Sequence, residues 1–123
     1  GETQLLEGIP PLHCRLMEPA VQQLQQTLAG LPVNAPKLPL VSNVTAYALE
    51  SPDEIRTRLA EQVARPIRWR ESVEYMKDHG VTEFLEIGHG DDLSNYVRAI
   101  AGSHEAHAIE DAQDIERALD DVL

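Results

Sequence analysis

The stretch Phe84–Ala101, FLEIGHGDDLSNYVRAIA, changes its hydrophobic period partway along. Phe84-Leu85-Glu86-Ile87 reads as a strand, Gly88-His89-Gly90 as a tight turn, and Asp91 to Ala101 as a helix that turns Leu93, Tyr96, Val97 and Ile100 inward. A strand feeding a helix through a glycine turn is the building unit of an α/β layered fold, in which helices connect parallel strands.

The same alternation extends in both directions. Downstream, His107-Ala108-Ile109 reads as a last strand, followed by a helix capped by Asp111 with Ile115, Leu119 and Val122 inward. Upstream, a helix from about Trp69 to His79 turns Val73 and Met76 inward and stops at Gly80. Ser51-Pro52-Asp53-Glu54 starts an earlier helix, with Ser51 as N-cap, Pro52 in the first turn and Glu54 closing a capping box. Ile55, Leu59 and Val63 line one face of it until Pro66 breaks the run. Leu38 to Val41 is a short apolar run typical of a buried strand, entered from a Pro36–Pro39 linker and leaving through a Ser-Asn turn. Before it, Pro19 fits the first turn of a helix carrying Val21, Leu24, Leu28 and Leu31, which Gly30 and Pro32 end. A short strand at Thr3 to Glu7 precedes the Pro10-Pro11 stop.

At 123 residues and 42% hydrophobic content the chain has the size and composition of one ordinary domain. It has no apolar run of the roughly 20 residues a bilayer span requires and no signal-peptide pattern, so a cytoplasmic protein without membrane contact is expected. Cys14 is the lone cysteine, which excludes an internal disulfide and a cysteine metal cluster. The net charge of −11 argues against nucleic acid as a partner. Six of the ten basic residues (Arg56, Arg58, Arg65, Arg68, Arg70, Lys77) nevertheless fall between positions 56 and 77, whereas His104 to Leu123 is an acidic surface.

Several residue groups invite a chemical reading. Gly88-His89-Gly90 resembles a phosphate-binding turn, but Asp91 and Asp92 would repel a phosphate, which favours a purely structural turn. His104 and His107, with Glu105 or Glu110, have a spacing that could suit a metal; an exposed coincidence is the better account, and no metal is expected. His13 beside Cys14 suggests a thiol dyad, yet neighbours in an extended segment point to opposite faces, so Cys14 reads as packing. His13 alone is either a satisfied core histidine or a general base in need of a nucleophile and an orienting acceptor.

Four runs settle the direction: PLHCRLMEPA (11–20), LPLVSNVTA (38–46), QVARPIRWRESVEYMKDHGV (62–81) and FLEIGHGDDLSNYVRAI (84–100). In order and spacing they resemble the C-terminal part of the malonyl-CoA:acyl carrier protein transacylases, and the ending AIEDAQDIERALDDVL resembles the tail of the free-standing enzymes. The resemblance implies a three-layer, parallel-sheet, hydrolase-like α/β large subdomain over residues 12–123. Residues 1–11 would be the exit strand of a ferredoxin-like small subdomain. It also implies transfer of malonyl from coenzyme A to the carrier protein's phosphopantetheine thiol through an acyl-serine. His13 would be the general base and the backbone carbonyl of Gln62 its orienting acceptor. Leu12 and Asn43 would border the acyl substrate, although packing for Leu12 and turn formation for Asn43 compete with those roles. Arg65, Arg68 and Arg70 would dock the acidic carrier protein, against the alternative of an ordinary helix surface with ion pairs. The coenzyme A thioester is a substrate, and no resident cofactor is implied.

The chain departs from the family in two ways. His89 stands where the Glu-x-Gly-Pro-Gly turn has proline, and Asp91 where a basic residue is common. No Gly-His-Ser-x-Gly nucleophile motif is present, so the serine, the malonyl-binding arginine and the oxyanion amides are expected on an N-terminal serine-bearing part of the same enzyme. The chain then reads as roughly the last two-fifths of a transacylase, inactive by itself. The rivals are a non-enzymatic interaction module built on this fold and a polyketide synthase acyltransferase region with another acyl choice. Uncovered strand edges and apolar faces predict that the isolated chain melts at low temperature or associates; a cooperative, high-temperature melt of a monomer, followed by circular dichroism with sedimentation, contradicts this.

Overall fold

The computed structural model describes residue 8, residues 10–102 and residues 105–122, the side chains of 105 and 120–122 excepted. The expected strand at Thr3 to Glu7 and His104 of the histidine pair lie outside the described residues. The chain divides into two compact units, Gly1–Ser72 and Val73–Leu123, and the architecture is a mixture of helices and short strands. Among the described residues no helix is long and apolar enough to cross a membrane.

In the first unit, α1 (Glu18–Ala29) packs on α2 (Pro52–Glu61) and on the 3-10 turn Gln62–Ala64 that continues it. Their shared core is small: Val21, Ala60 and Ala64 are buried, with Met17, Leu24, Leu28 and Val63 packed around them. Two alanines facing a helix let the backbones approach closely, which is how a 12-residue and a 10-residue helix bury their seam. The start of α2 follows its sequence. Ser51 accepts a hydrogen bond from the Glu54 amide at 3.2 Å, and the Glu54 carboxylate reaches back to the amide of Glu50 at 3.3 Å. Arg56 then donates to the carbonyls of Leu28 and Leu31, tying α2 to the end of α1 and the turn that follows it. The expected strand at residues 38–41 is present only as β1 (Leu40–Val41), half of an antiparallel hairpin with β2 (Ala48–Leu49), a strand that the sequence reading did not contain.

α3 (Trp69–Asp78) spans the division between the units. Val73 is fully buried, and the helix ends as its sequence predicts: Gly80 has φ +89, and the Val81 amide returns to the Met76 carbonyl at 3.1 Å.

In the second unit, β3 (Glu83–Ile87) and β4 (Glu105–Ile109) are parallel, registered Glu83 to Glu105 through Ile87 to Ile109, with α4 (Asp92–Ala101) as the crossover and α5 (Ala112–Val122) on β4. The parallel pairing agrees with the α/β expectation. Asp111 caps α5 by accepting from the amides of Gln113 and Asp114. Asp91, the N-cap of α4, makes no such bond. The Glu86 carboxylate on β3 takes over, accepting the Leu93 amide at 3.3 Å and the Ser94 amide at 2.7 Å.

Several inward assignments fail. In α4, Val97 is 3% exposed but Tyr96 is 55% and Leu93 43% exposed; in α5, Ile115 and Leu119 are about half exposed; in α1–α2, Leu31 and Leu59 are also exposed. On β3 only Phe84 and Glu86 are half-buried, and Ile87 is 82% exposed. Periodicity identifies residues that share a face, but burial needs a second surface on that face, and periodicity carries no information about it.

Burial works to raise the Glu86 pKa, but the Ser94 and Leu93 amides and the nearby Arg98 outweigh it and hold the carboxyl below its ordinary 4.5. A folded-state pKa below the unfolded one gives a contribution that is complete above the unfolded value and is lost as pH falls through the folded one. Glu86→Gln is therefore expected to lower the urea midpoint near pH 7 and to differ less from the parent near pH 3. A gap that persists on acidification contradicts the anchoring role.

Candidate functional site

The site starts from a helix that runs out. After α2 the chain tightens into the 3-10 turn Gln62–Ala64, whose carbonyls still offer acceptor lone pairs to partners outside it. His13, 49 residues earlier, takes two of them. Its backbone amide donates to Val63 O at 3.1 Å, and its ring Nδ1 lies 2.7 Å from Gln62 O.

A carbonyl oxygen only accepts, so this contact places a ring proton on Nδ1, and in the neutral ring Nε2 is the nitrogen that carries the lone pair. The ring is half-buried. The backbone of His13 is held at φ +56, a left-handed conformation uncommon outside glycine. Neighbouring turns hold the segment: Leu12 N donates to Pro10 O at 2.7 Å and Met17 N to Cys14 O at 3.0 Å. The Cys14 thiol donates to Pro11 O at 3.3 Å, so it is directed to the backbone behind it and is half-buried rather than fully packed away.

Asn43 lies in the β1–β2 turn, which Ser42 organises by accepting from the amides of Val44 and Thr45. The Asn43 side chain donates to Gln62 Oε1 at 3.5 Å, and its carbonyl accepts the Arg68 amide at 2.9 Å. Asn43 and Gln62 contribute polar groups to a groove of about 210 Å³ otherwise lined mainly by apolar residues including Leu40, Leu49 and Leu59. Leu12, 52% exposed, does not line that groove, and neither does His13.

The three arginines differ. Arg68 is engaged with the Glu71 carboxylate at 3.1 Å and the Thr45 carbonyl at 3.2 Å, bracing the hairpin turn to the start of α3. Arg65 and Arg70 are exposed. Glu71 is held below its ordinary pKa, first by its backbone hydrogen bond and then by Arg68.

The Gly88-His89-Gly90 turn has its Gly90 amide on the Glu110 carboxylate at 2.8 Å, with His89 Nδ1 3.4 Å from the other carboxylate oxygen. Gly90 has φ +86, which accounts for glycine there, and its amide is occupied by a side chain of the same fold. The Asn43–Gln62 contact and the hairpin brace were missed by the sequence reading. A polar residue in each of two recognisable runs was the available signal, but nothing in their spacing pairs them.

No family model matches the chain. Curated relatives do. The malonyl CoA-acyl carrier protein transacylase of Haemophilus influenzae is 39% identical over 101 residues, covering 82% of this chain and 32% of the relative. That of Escherichia coli K12 is 36% identical over 110 residues, 89% of this chain and 36% of the relative. Among solved structures, the MCAT of Streptococcus pneumoniae superposes with a TM-score of 0.87 at 33% identity, over 95% of this chain and 38% of that one. A malonyl-transacylase in complex with its type II PKS acyl-carrier protein gives 0.89 at 35%, over 94% and 38%. The chain spans about a third of the length of the curated relatives it matches. By fold and sequence together it is homologous to acyltransferases. Within them, its homologues are the malonyl CoA-acyl carrier protein transacylases.

Proposed function

We propose that this chain is the base-bearing segment of a malonyl-CoA:acyl carrier protein S-malonyltransferase acting in the cytoplasm. It would occupy a hydrolase-like large subdomain whose nucleophilic serine lies outside the 123 residues. The observation that carries the reading is the 2.7 Å contact between His13 Nδ1 and the Gln62 carbonyl, on a chain homologous to that family.

In this reading Nε2 takes the proton of the serine hydroxyl as its oxygen attacks the thioester carbonyl of malonyl-CoA. As the tetrahedral intermediate collapses, the carbon–sulfur bond breaks and Nε2 returns the proton to the departing coenzyme A thiol. The carrier's phosphopantetheine thiol then gives its proton to Nε2, attacks the acyl-serine, and the serine recovers a proton from the ring. The positive charge that forms on the imidazole in each half faces the carbonyl end of α2, where the helix carries partial negative charge. No redox group or resident metal enters these steps. Incubation of radiolabelled malonyl-CoA with this chain, alone and with serine-bearing partner segments, is expected to label only the partner; label on this chain alone overturns the mechanism.

Carrier docking is assigned to the exposed Arg65 and Arg70, and Arg68 supports them from its braced position. In a complete enzyme, Arg65→Glu with Arg70→Glu is expected to raise the KM for carrier protein several-fold at unchanged KM for malonyl-CoA. Equal changes in both discard the docking role. A polyketide setting is the second reading, favoured by the type II PKS carrier in the matched complex.

A further inference from the structure

Any residue can offer a backbone carbonyl, so the use of Gln62 O by His13 does not explain why a glutamine stands there. The side chain does something else. Gln62 Oε1 accepts from Asn43 Nδ2 at 3.5 Å, while the backbone of Asn43 accepts from Arg68 N at 2.9 Å. The segment 62–68 is therefore held at both ends by one residue of the hairpin turn. That turn is itself fixed by the Ser42 hydroxyl, the Ala46 amide on Ser42 O at 2.8 Å, and Arg68 on Thr45 O.

We propose that Asn43 is a positioning residue that acts on His13 through the Gln62 side chain, and not a contact to the acyl substrate. The neutral ring has two tautomers, and the one with the proton on Nδ1 is favoured only while a carbonyl stays in line with Nδ1. Removing the side-chain latch leaves the carbonyl in place but lets residue 62 rotate about its backbone, which weakens the alignment at 2.7 Å. The His13 backbone bond to Val63 O is independent of the latch, so the segment is loosened and not released.

This assignment rests on the proposed function only in naming His13 as the base; the latch itself is tested without turnover. Nitrogen-15 spectra of the His13 ring in the 123-residue chain report the two tautomers directly. With Asn43→Ala, the ratio of the Nδ1–H to the Nε2–H form is expected to fall by about threefold, the equivalent of one weak neutral hydrogen bond. Asn43→Asp is expected to keep the parent ratio, because the Gln62 amide can turn and donate to the carboxylate. Were Asn43 instead a contact to the malonyl anion, the added charge would be the most harmful substitution in an acyl-transfer assay. If Asn43→Ala does not fold, Gln62→Ala, which keeps the carbonyl and loses the latch, is expected to give the same threefold fall. An unchanged ratio in a folded Asn43→Ala or Gln62→Ala chain, or an Asp variant that behaves like Ala, overturns the proposal. Failure of acyl transfer when the chain is combined with a serine-bearing partner segment, with the tautomer shift intact, would remove the proposed function and leave the latch standing.

Discussion

The candidate site depends on the way α2 stops. An α-helix ends with carbonyls that have no partner, and a continuing helix would have consumed those of Gln62 and Val63. Here the last turn tightens to 3-10, and the chain passes to an extended Arg65 with Pro66 behind it. Pro66 cannot donate an α-helical amide back to residue 62, so the carbonyl of Gln62 keeps a lone pair for a partner outside the helix. His13 fills both vacancies, one with its backbone and one with its ring. Two bonds to consecutive carbonyls fix the distance and direction of the imidazole more tightly than one could. His13 makes both bonds from a backbone held at φ +56.

What the sequence disclosed is uneven, for physical reasons. Local chemistry was legible: Ser51 and Asp111 cap the helices assigned to them, and Gly80 ends α3 with a left-handed φ. These motifs are complete within five or six residues. Tyr96, Leu93, Ile115 and Leu119 were assigned inward from helical spacing and are exposed, because burial is a property of two surfaces and the sequence of one helix describes only one. β2 has two residues, too short for any period to show, and it exists only through pairing with Leu40 and Val41. The His13–Gln62 contact spans 49 residues and was reached through family resemblance, never through spacing. Asn43 was expected beside the acyl substrate, whereas its side chain bonds Gln62 and its carbonyl accepts the Arg68 amide.

The cluster of positive charge between residues 56 and 77 also divides once each side chain is placed. Arg56 serves the carbonyls at the end of α1, Arg58 pairs with Glu61 at 2.7 Å, and Arg68 joins Glu71 to the hairpin turn. A guanidinium has five donors in a rigid fork, and in these positions the donors are spent on helix ends and turns where a lysine's single point charge would serve poorly. A run of basic residues in a sequence is thus not one surface. Arg68 ties the hairpin turn to the start of α3, whereas Arg56 and Arg58 are engaged along α2, so the cluster serves several local contacts.

In the proposed mechanism a backbone carbonyl stands where a hydrolase would use a carboxylate, and the same economy explains why it can. A carboxylate offers a full charge, but burying one beside a half-buried ring demands further hydrogen bonds to satisfy it. A carbonyl at a helix terminus offers partial negative charge with no desolvated ion, and the helix that supplies it is already anchored by α1 through Val21, Ala60 and Ala64. Its weakness is direction: a neutral acceptor orients the ring only as well as its own backbone is held. That requirement moves the demand for rigidity from the histidine to the 62–68 segment, and from there to the hairpin turn at Asn43, where Arg68 N and the Gln62 side chain both attach.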